Sequence, residues 1–161
     1  MLFRSAYGPV VAGPQGLAFV ALRMYTGDSE PVYLNKPGYK ERLQPSKRRN
    51  LTSAPVALSI DPVMQHRKEA AWEPLFEPSD DGMAGHVVRL GAGMSAAGPD
   101  PRIANGYYVF VANGSLIHQG EELPKWSMVV VENNEEAFNI QAGSKGVEAL
   151  VLQYPREDTT Q

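Results

Sequence analysis

The sequence predicts an all-β fold, a sandwich or barrel of short strands with at most one short helix. Two observations carry this. In the second half, apolar runs rich in β-branched and aromatic residues alternate with turn residues roughly every eight to twelve positions. In addition, 15 glycines and 13 prolines in 161 residues favour many turns over long helices.

From the N-terminus, residues 18–25 read as one strand. Residues 27–50 are polar and carry Pro31, Pro37, Gly38 and Pro45, the composition of a long loop. Asp61-Pro62 has the form of an N-cap followed by proline at the first helical position. A short helix over 64–72, stopping before Pro74, is predicted. Residues 86–90 (His-Val-Val-Arg-Leu) form a strand that ends at Gly91-Ala92-Gly93. Residues 107–112 (Tyr-Tyr-Val-Phe-Val-Ala) run into Asn113-Gly114, a strong hairpin signal, so residues 115–118 are expected to return beside them. Gln119-Gly120-Glu121 makes the next turn. Residues 128–131 precede the polar turn Glu132-Asn133-Asn134-Glu135, and residues 137–141 and 147–154 complete the series.

Composition excludes several functions. Hydrophobic residues are 43% and charged residues 20%, the balance of a folded globular protein. The net charge of −3 gives no general attraction for nucleic acid or anionic membrane. No apolar run approaches the roughly 20 residues of a membrane helix, and the first nine residues lack the pattern of a signal peptide. Cysteine is absent, which removes disulfides, thiolate catalysis and sulfur-held metals. A cytoplasmic location is the default expectation. The basic cluster Lys36, Lys40, Arg42, Lys47, Arg48 and Arg49 is read as a solvated loop, not a phosphate-binding surface. The acidic pairs Asp80-Asp81, Glu121-Glu122 and Glu135-Glu136 are read as turns. No phosphate-binding loop, dinucleotide fingerprint, nucleophile elbow or His-Glu-x-x-His motif is present.

One internal echo stands out. Ala12-Gly13-Pro14-Gln15-Gly16 matches Ala142-Gly143-Ser144-Lys145-Gly146, each read as a tight hairpin turn feeding an apolar strand. Glycine hairpins recur by chance; alternatively, residues 1–25 copy the closing hairpin of a barrel whose earlier strands are missing. Such an arm is expected to add to a sheet edge, in its own chain or in a second subunit. The expected organisation is an N-terminal arm and long basic loop over 1–55, a remnant of a preceding barrel on the second view, followed by a barrel over 56–161.

Residues 87–155 resemble the cupin superfamily. The carrying motifs occur in the family's order: Leu90-Gly91-Ala92-Gly93, the aromatic strand into Gly114, the turn at Gly120 leading to Lys125-Trp126-Ser127, and Ala142-Gly143-x-x-Gly146 before Tyr154-Pro155. The resemblance implies a double-stranded β-helix, the jelly-roll barrel, commonly dimeric. It also implies a divalent metal held by a His-x-His pair, a Glu and a later His. In this sequence the Glu position falls on Tyr107, the His-x-His pair in Pro99-Asp100-Pro101-Arg102-Ile103, and the last His near Val131. The family's ligands are changed at every one of these positions, the loop holding no histidine, so no metal and no cofactor is expected. An atypical site would have to be rebuilt from His66, His86 and His118, no two of them near in sequence.

Alternation places Tyr107, Val109 and Val111 on one face of their strand. If that face is interior, Tyr107 either lines a ligand pocket or fills the core with its hydroxyl satisfied. Arg89 interrupts an apolar strand. It either faces solvent or is buried against a carboxylate or an anionic ligand, a role Arg102 can share. His86 has the parity of Val88 and Leu90. Asn139 and Gln141 belong to the sheet that closes the cavity, and Trp126 is read as a packing residue ahead of a stacking platform. These candidates support two expectations. The first is a non-catalytic homodimer, paired through the arm, that binds a small organic ligand in the barrel. The second is a metal-independent isomerase or lyase using Tyr107 with His86 or a carboxylate as its acid/base pair.

Overall fold

A computed structural model describes residues 11–22, 37–38, 41 and 51–156. The chain divides into two units, residues 1–50 and 51–161. In the first, Gly13 and Gly16 form an isolated antiparallel bridge, with the Gly16 N–H donating to the Gly13 carbonyl at 2.9 Å. Residues 18–22 are not a strand, against expectation, because a single extended segment has no ladder partner among the described residues of its unit. Residues 23–25 and the basic cluster lie outside the described residues.

The second unit contains the helix α1 (Asp61–Gln65) and seven strands: β1 (Ala71–Phe76), β2 (Ala84–Leu90), β3 (Ser95–Ala97), β4 (Tyr107–His118), β5 (Glu121–Pro124), β6 (Met128–Val131) and β7 (Asn139–Gln153). A single 3-10 turn covers Pro101–Ile103. Every pairing is antiparallel, in the order β1-β2-β7-β4-β5, with β3 added to β7 and β6 to β4. The fold is all-β. No helix among the described residues is long and apolar enough to cross a membrane.

The two long strands organise the unit. The first half of β4 pairs with the end of β7 (Val109 opposite Val151), and its second half pairs with the start of β7 (Leu116 opposite Ala142). Between these stretches the register shifts, and the backbone bends at Gly114 (φ +73°) and Gly146 (φ +86°). These glycines touch. A Cβ on Gly114 would lie 2.1 Å from the Gly146 carbonyl oxygen, so neither a side chain nor an ordinary φ fits there. Met64 of α1 is buried over the same corner. The bend folds one sheet into two halves, β1-β2-β7-β4-β6 and β3-β7-β4-β5. Their inner faces share one core that includes Val88, Val109, Val151, Leu116 and Ile140.

Three sequence expectations fail at this corner and beside it. Asn113-Gly114 is a bend inside β4, and the reversal comes instead at Gln119-Gly120 (φ +51° and +82°), a pair suited to a tight hairpin. Residues 142–146 lie within β7, bent at Gly146, and do not reverse the chain. Pairing resumes on either side of them, Ala142 with Leu116 of β4 and Val147 with both Leu90 of β2 and Gly114 of β4, so the strand continues across the segment and the echo with residues 12–16 is one of sequence only. The helix has five residues, with Ile60 at the N-cap position and no side-chain cap. Trp72 and Pro74 belong instead to β1, an edge strand, where proline's missing N–H does no harm.

Candidate functional site

Two of the positions matched to metal ligands meet. Tyr107 and Val131 stand opposite each other across β4 and β6, and both are buried, at 1% and 3% exposure. The Tyr107 hydroxyl accepts the Phe138 N–H at 3.0 Å. Gly98 makes room for it, since a Cβ there would come within 2.7 Å of the phenol oxygen. Burial pushes the phenol pKa up, and the Phe138 hydrogen bond offsets only part of that. The third position, Pro99 to Ile103, is the 3-10 turn, fixed by Asp100 accepting the Arg102 N–H at 3.0 Å. A phenol held by the backbone and an isopropyl group do not fit a divalent metal, which takes imidazole and carboxylate donors. Among the described residues no three His, Cys, Asp or Glu side chains are grouped to hold one.

Arg89 is neither on a solvated face nor free for a ligand. Its parity is opposite to Val88 and Leu90, so it points out from the core, yet it is buried. Its Nε donates to Glu73 Oε1 at 2.9 Å and its Nη2 to Glu73 Oε2 at 3.1 Å. Nη2 also reaches the Ala57 carbonyl at 3.1 Å, and Nη1 donates to Glu148 Oε1. Glu148 is fully buried and also accepts from the Ser59 N–H (2.8 Å), the Ser59 hydroxyl (2.6 Å) and Asn113 Nδ2 (3.2 Å). Burial pushes its pKa up, but these hydrogen bonds together outweigh it and hold the carboxyl below its ordinary value. The Arg89 pKa is raised, first by its bonds to Glu73. This is a closed network across β1, β2, β7 and β4, sealed by residues 57–59.

The remaining candidates scatter. Arg102 is exposed, 3.8 Å from Asp100, and takes no part in the Arg89 network. Asn139 and Gln141 face outward, while Ile140 between them and Ala142 after them point into the core. Trp126 is 59% exposed, with Lys125 Nζ 6.0 Å from its ring, so it does not pack in the core. His66 binds the Pro62 carbonyl through Nδ1 at 2.8 Å. His118 tilts against Phe138 at 5.5 Å and borders an open cavity of about 370 Å³ shared with Val131, Glu135, Glu136 and Asn139.

His86 stands apart. It lies on the inward face of β2, opposite Val151, with Trp72 packed edge-on at 5.9 Å and 78°. Burial lowers its pKa, which favours the neutral ring. Its Nδ1 is buried without a hydrogen-bond partner. Gln153, which the sequence reading did not single out, lies opposite both Ala84 and Tyr107. It shares the inward parity of Val151, is 6% exposed, and its Nε2 is likewise unpartnered. His86 and Gln153 are therefore diagonal neighbours on one face, beside a Trp72 that is 36% exposed. The sequence signal for Gln153 was the alternation Val147, Ala149, Val151, which puts a polar side chain at the next inward position. Trp72 was hidden by the helix assigned over it.

No known family profile matches the sequence, and no curated protein sequence matches it. Among solved structures, the chain is similar to a structural-genomics protein of unknown function from Rhizobium leguminosarum bv. viciae 3841. The identity is 17% over 69% of this chain and 100% of that one, with a TM-score of 0.43. It is also similar to the EutQ protein of Clostridium difficile, at 10% identity over 55% of this chain and 64% of that one, with a TM-score of 0.36. Neither likeness bears on what the chain does.

Proposed function

We propose that this protein is a small-molecule-binding barrel that performs no chemistry on its ligand, and that the ligand sits against His86, Gln153 and Trp72. One observation carries the reading: two side-chain nitrogens, His86 Nδ1 and Gln153 Nε2, are buried on the same inward face with no partner among the described residues. Each such group costs about 1–3 kcal/mol, and a bound molecule that pairs with them recovers that cost. The isomerase or lyase alternative is less supported. Its acid/base pair needs Tyr107, whose hydroxyl is engaged by Phe138 and whose ionisation is suppressed by burial.

The test is a thermal-shift screen of small polar metabolites, followed by calorimetric titration of each hit. A ligand at 100 times its Kd should stabilise the fold by about 2.7 kcal/mol. Saturable one-to-one binding without turnover supports the proposal. Conversion of a bound compound to product would replace it with the enzymatic reading.

A further inference from the structure

We infer that the ligand of this site is a small uncharged molecule, offering a hydrogen-bond acceptor such as a carbonyl to Gln153 and a flat face to Trp72. The inference rests on the binding function proposed above and deepens it.

Charge decides the class. In the half of the sheet that carries His86 and Gln153, the strands β1, β2, β6, the first part of β4 and the last part of β7 contain one lysine or arginine, Arg89. Arg89 points out from the core and is tied to Glu73 and Glu148. The two acids of those strands that belong to the same network, Glu73 and Glu148, are engaged with it on that side. The inward face is formed by Val88, Val109, Val151 and Tyr107 around the two unpartnered polar groups. An anion placed there loses its hydration with no countercharge from these strands in return, and it meets the like charge of Asp100 and Glu135, whose field reaches Tyr107 beside Gln153; a cation meets no carboxylate of these strands. A neutral His86 adds none.

The donors fix the rest. Gln153 Nε2 has N–H bonds to give, so the ligand must accept. His86 Nδ1 donates or accepts according to its tautomer and suits either a second acceptor or an N–H or O–H group. Trp72, edge-on to His86 and partly exposed, offers ring surface that a planar molecule covers.

The experiment uses the full chain, labelled with nitrogen-15, and matched pairs that differ in charge: nicotinamide against nicotinate, and uracil against orotate. The expected result is saturable movement of the Gln153 side-chain amide and His86 ring signals with a neutral member, and at least tenfold weaker binding of its carboxylate. Gln153→Leu should weaken that binding at least tenfold, and Gln153→Met serves if the leucine variant does not fold. A carboxylate that binds as tightly as its neutral partner and moves the same signals overturns the uncharged class while leaving the binding function standing. Saturable binding that leaves both signals unmoved overturns the site. If neither charge class binds and the two nitrogens exchange only with water, both this inference and the proposed function fall.

Discussion

Glu148→Gln is the sharpest perturbation of the architecture. The carboxylate receives four hydrogen bonds, two from Ser59, one from Asn113 and one from Arg89, in a fully buried position. The amide keeps the shape but replaces one oxygen by an N–H donor facing other donors. Breaking a buried ion pair from one side costs about 3–5 kcal/mol. Arg89 retains its two-pronged contact with the half-exposed Glu73, so the lower end applies, about 3 kcal/mol. For a folding unit of this size that is a fall in Tm of about 10 °C. The pH dependence follows from the direction of the shift. A carboxyl held below its ordinary value stabilises the fold fully above the unfolded-chain value of about 4.3. That contribution is lost as the pH falls through the lower, folded value. Guanidinium unfolding of both proteins between pH 7 and pH 3 measures the cost and the acid limb together. The Arg89→Met/Glu148→Leu double variant should recover most of the loss, since a packed apolar pair carries no unpaired charge. A cost below about 1 kcal/mol for Glu148→Gln, or an acid limb as steep as in the parent, refutes the network as described.

Tyr107→Phe should cost about 1–2 kcal/mol in chemical denaturation by leaving the Phe138 N–H unpaired. Because the folded phenol pKa is raised, its contribution is full below the unfolded value of about 10 and declines as pH rises toward the folded one, so the variant should also show a shallower alkaline limb. Gly114→Ala should destabilise by more than about 2 kcal/mol, from the left-handed backbone and the overlap with Gly146. Gly120→Asn, at φ +82° with open space around it, should cost less than about 1 kcal/mol, and thermal melts of both glycine variants measure the contrast.

What could be read from the sequence was whatever depends on near neighbours. Short apolar runs rich in β-branched and aromatic residues located β2, the first half of β4, β6 and the end of β7, and alternation along residues 107–112 told the inward face from the outward one. The glycines at 114 and 146 misled for a definite reason. A positive φ serves a reversing turn and a bend within a paired strand equally well, and only the partners on either side, distant in sequence, decide between them. Arg89 was recognised as needing a carboxylate if buried. Glu148 was missed, although it breaks the apolar run after Val147 as Arg89 breaks its own, and the two sit directly opposite across β2 and β7. The alignment of Tyr107 with Val131 came from the motif spacing and places two residues that do face each other.

The two faces of this sheet treat polar groups differently, and that contrast is the strongest argument about function. On the outward side, Arg89, Glu148, Asn113 and Ser59 are buried or half-buried, and each is drawn into one satisfied network. The fold can therefore bury charge and pair it. On the inward side, Tyr107 is satisfied as well, by Phe138. His86 and Gln153 are the exceptions, two positions apart in register and beside the same partly exposed tryptophan. Apolar residues of similar volume would remove both penalties without disturbing the strands, as Val88 and Val151 show at adjoining inward positions. Two uncompensated groups on one face, in a sheet that compensates the others, are the observation on which the proposed binding site rests.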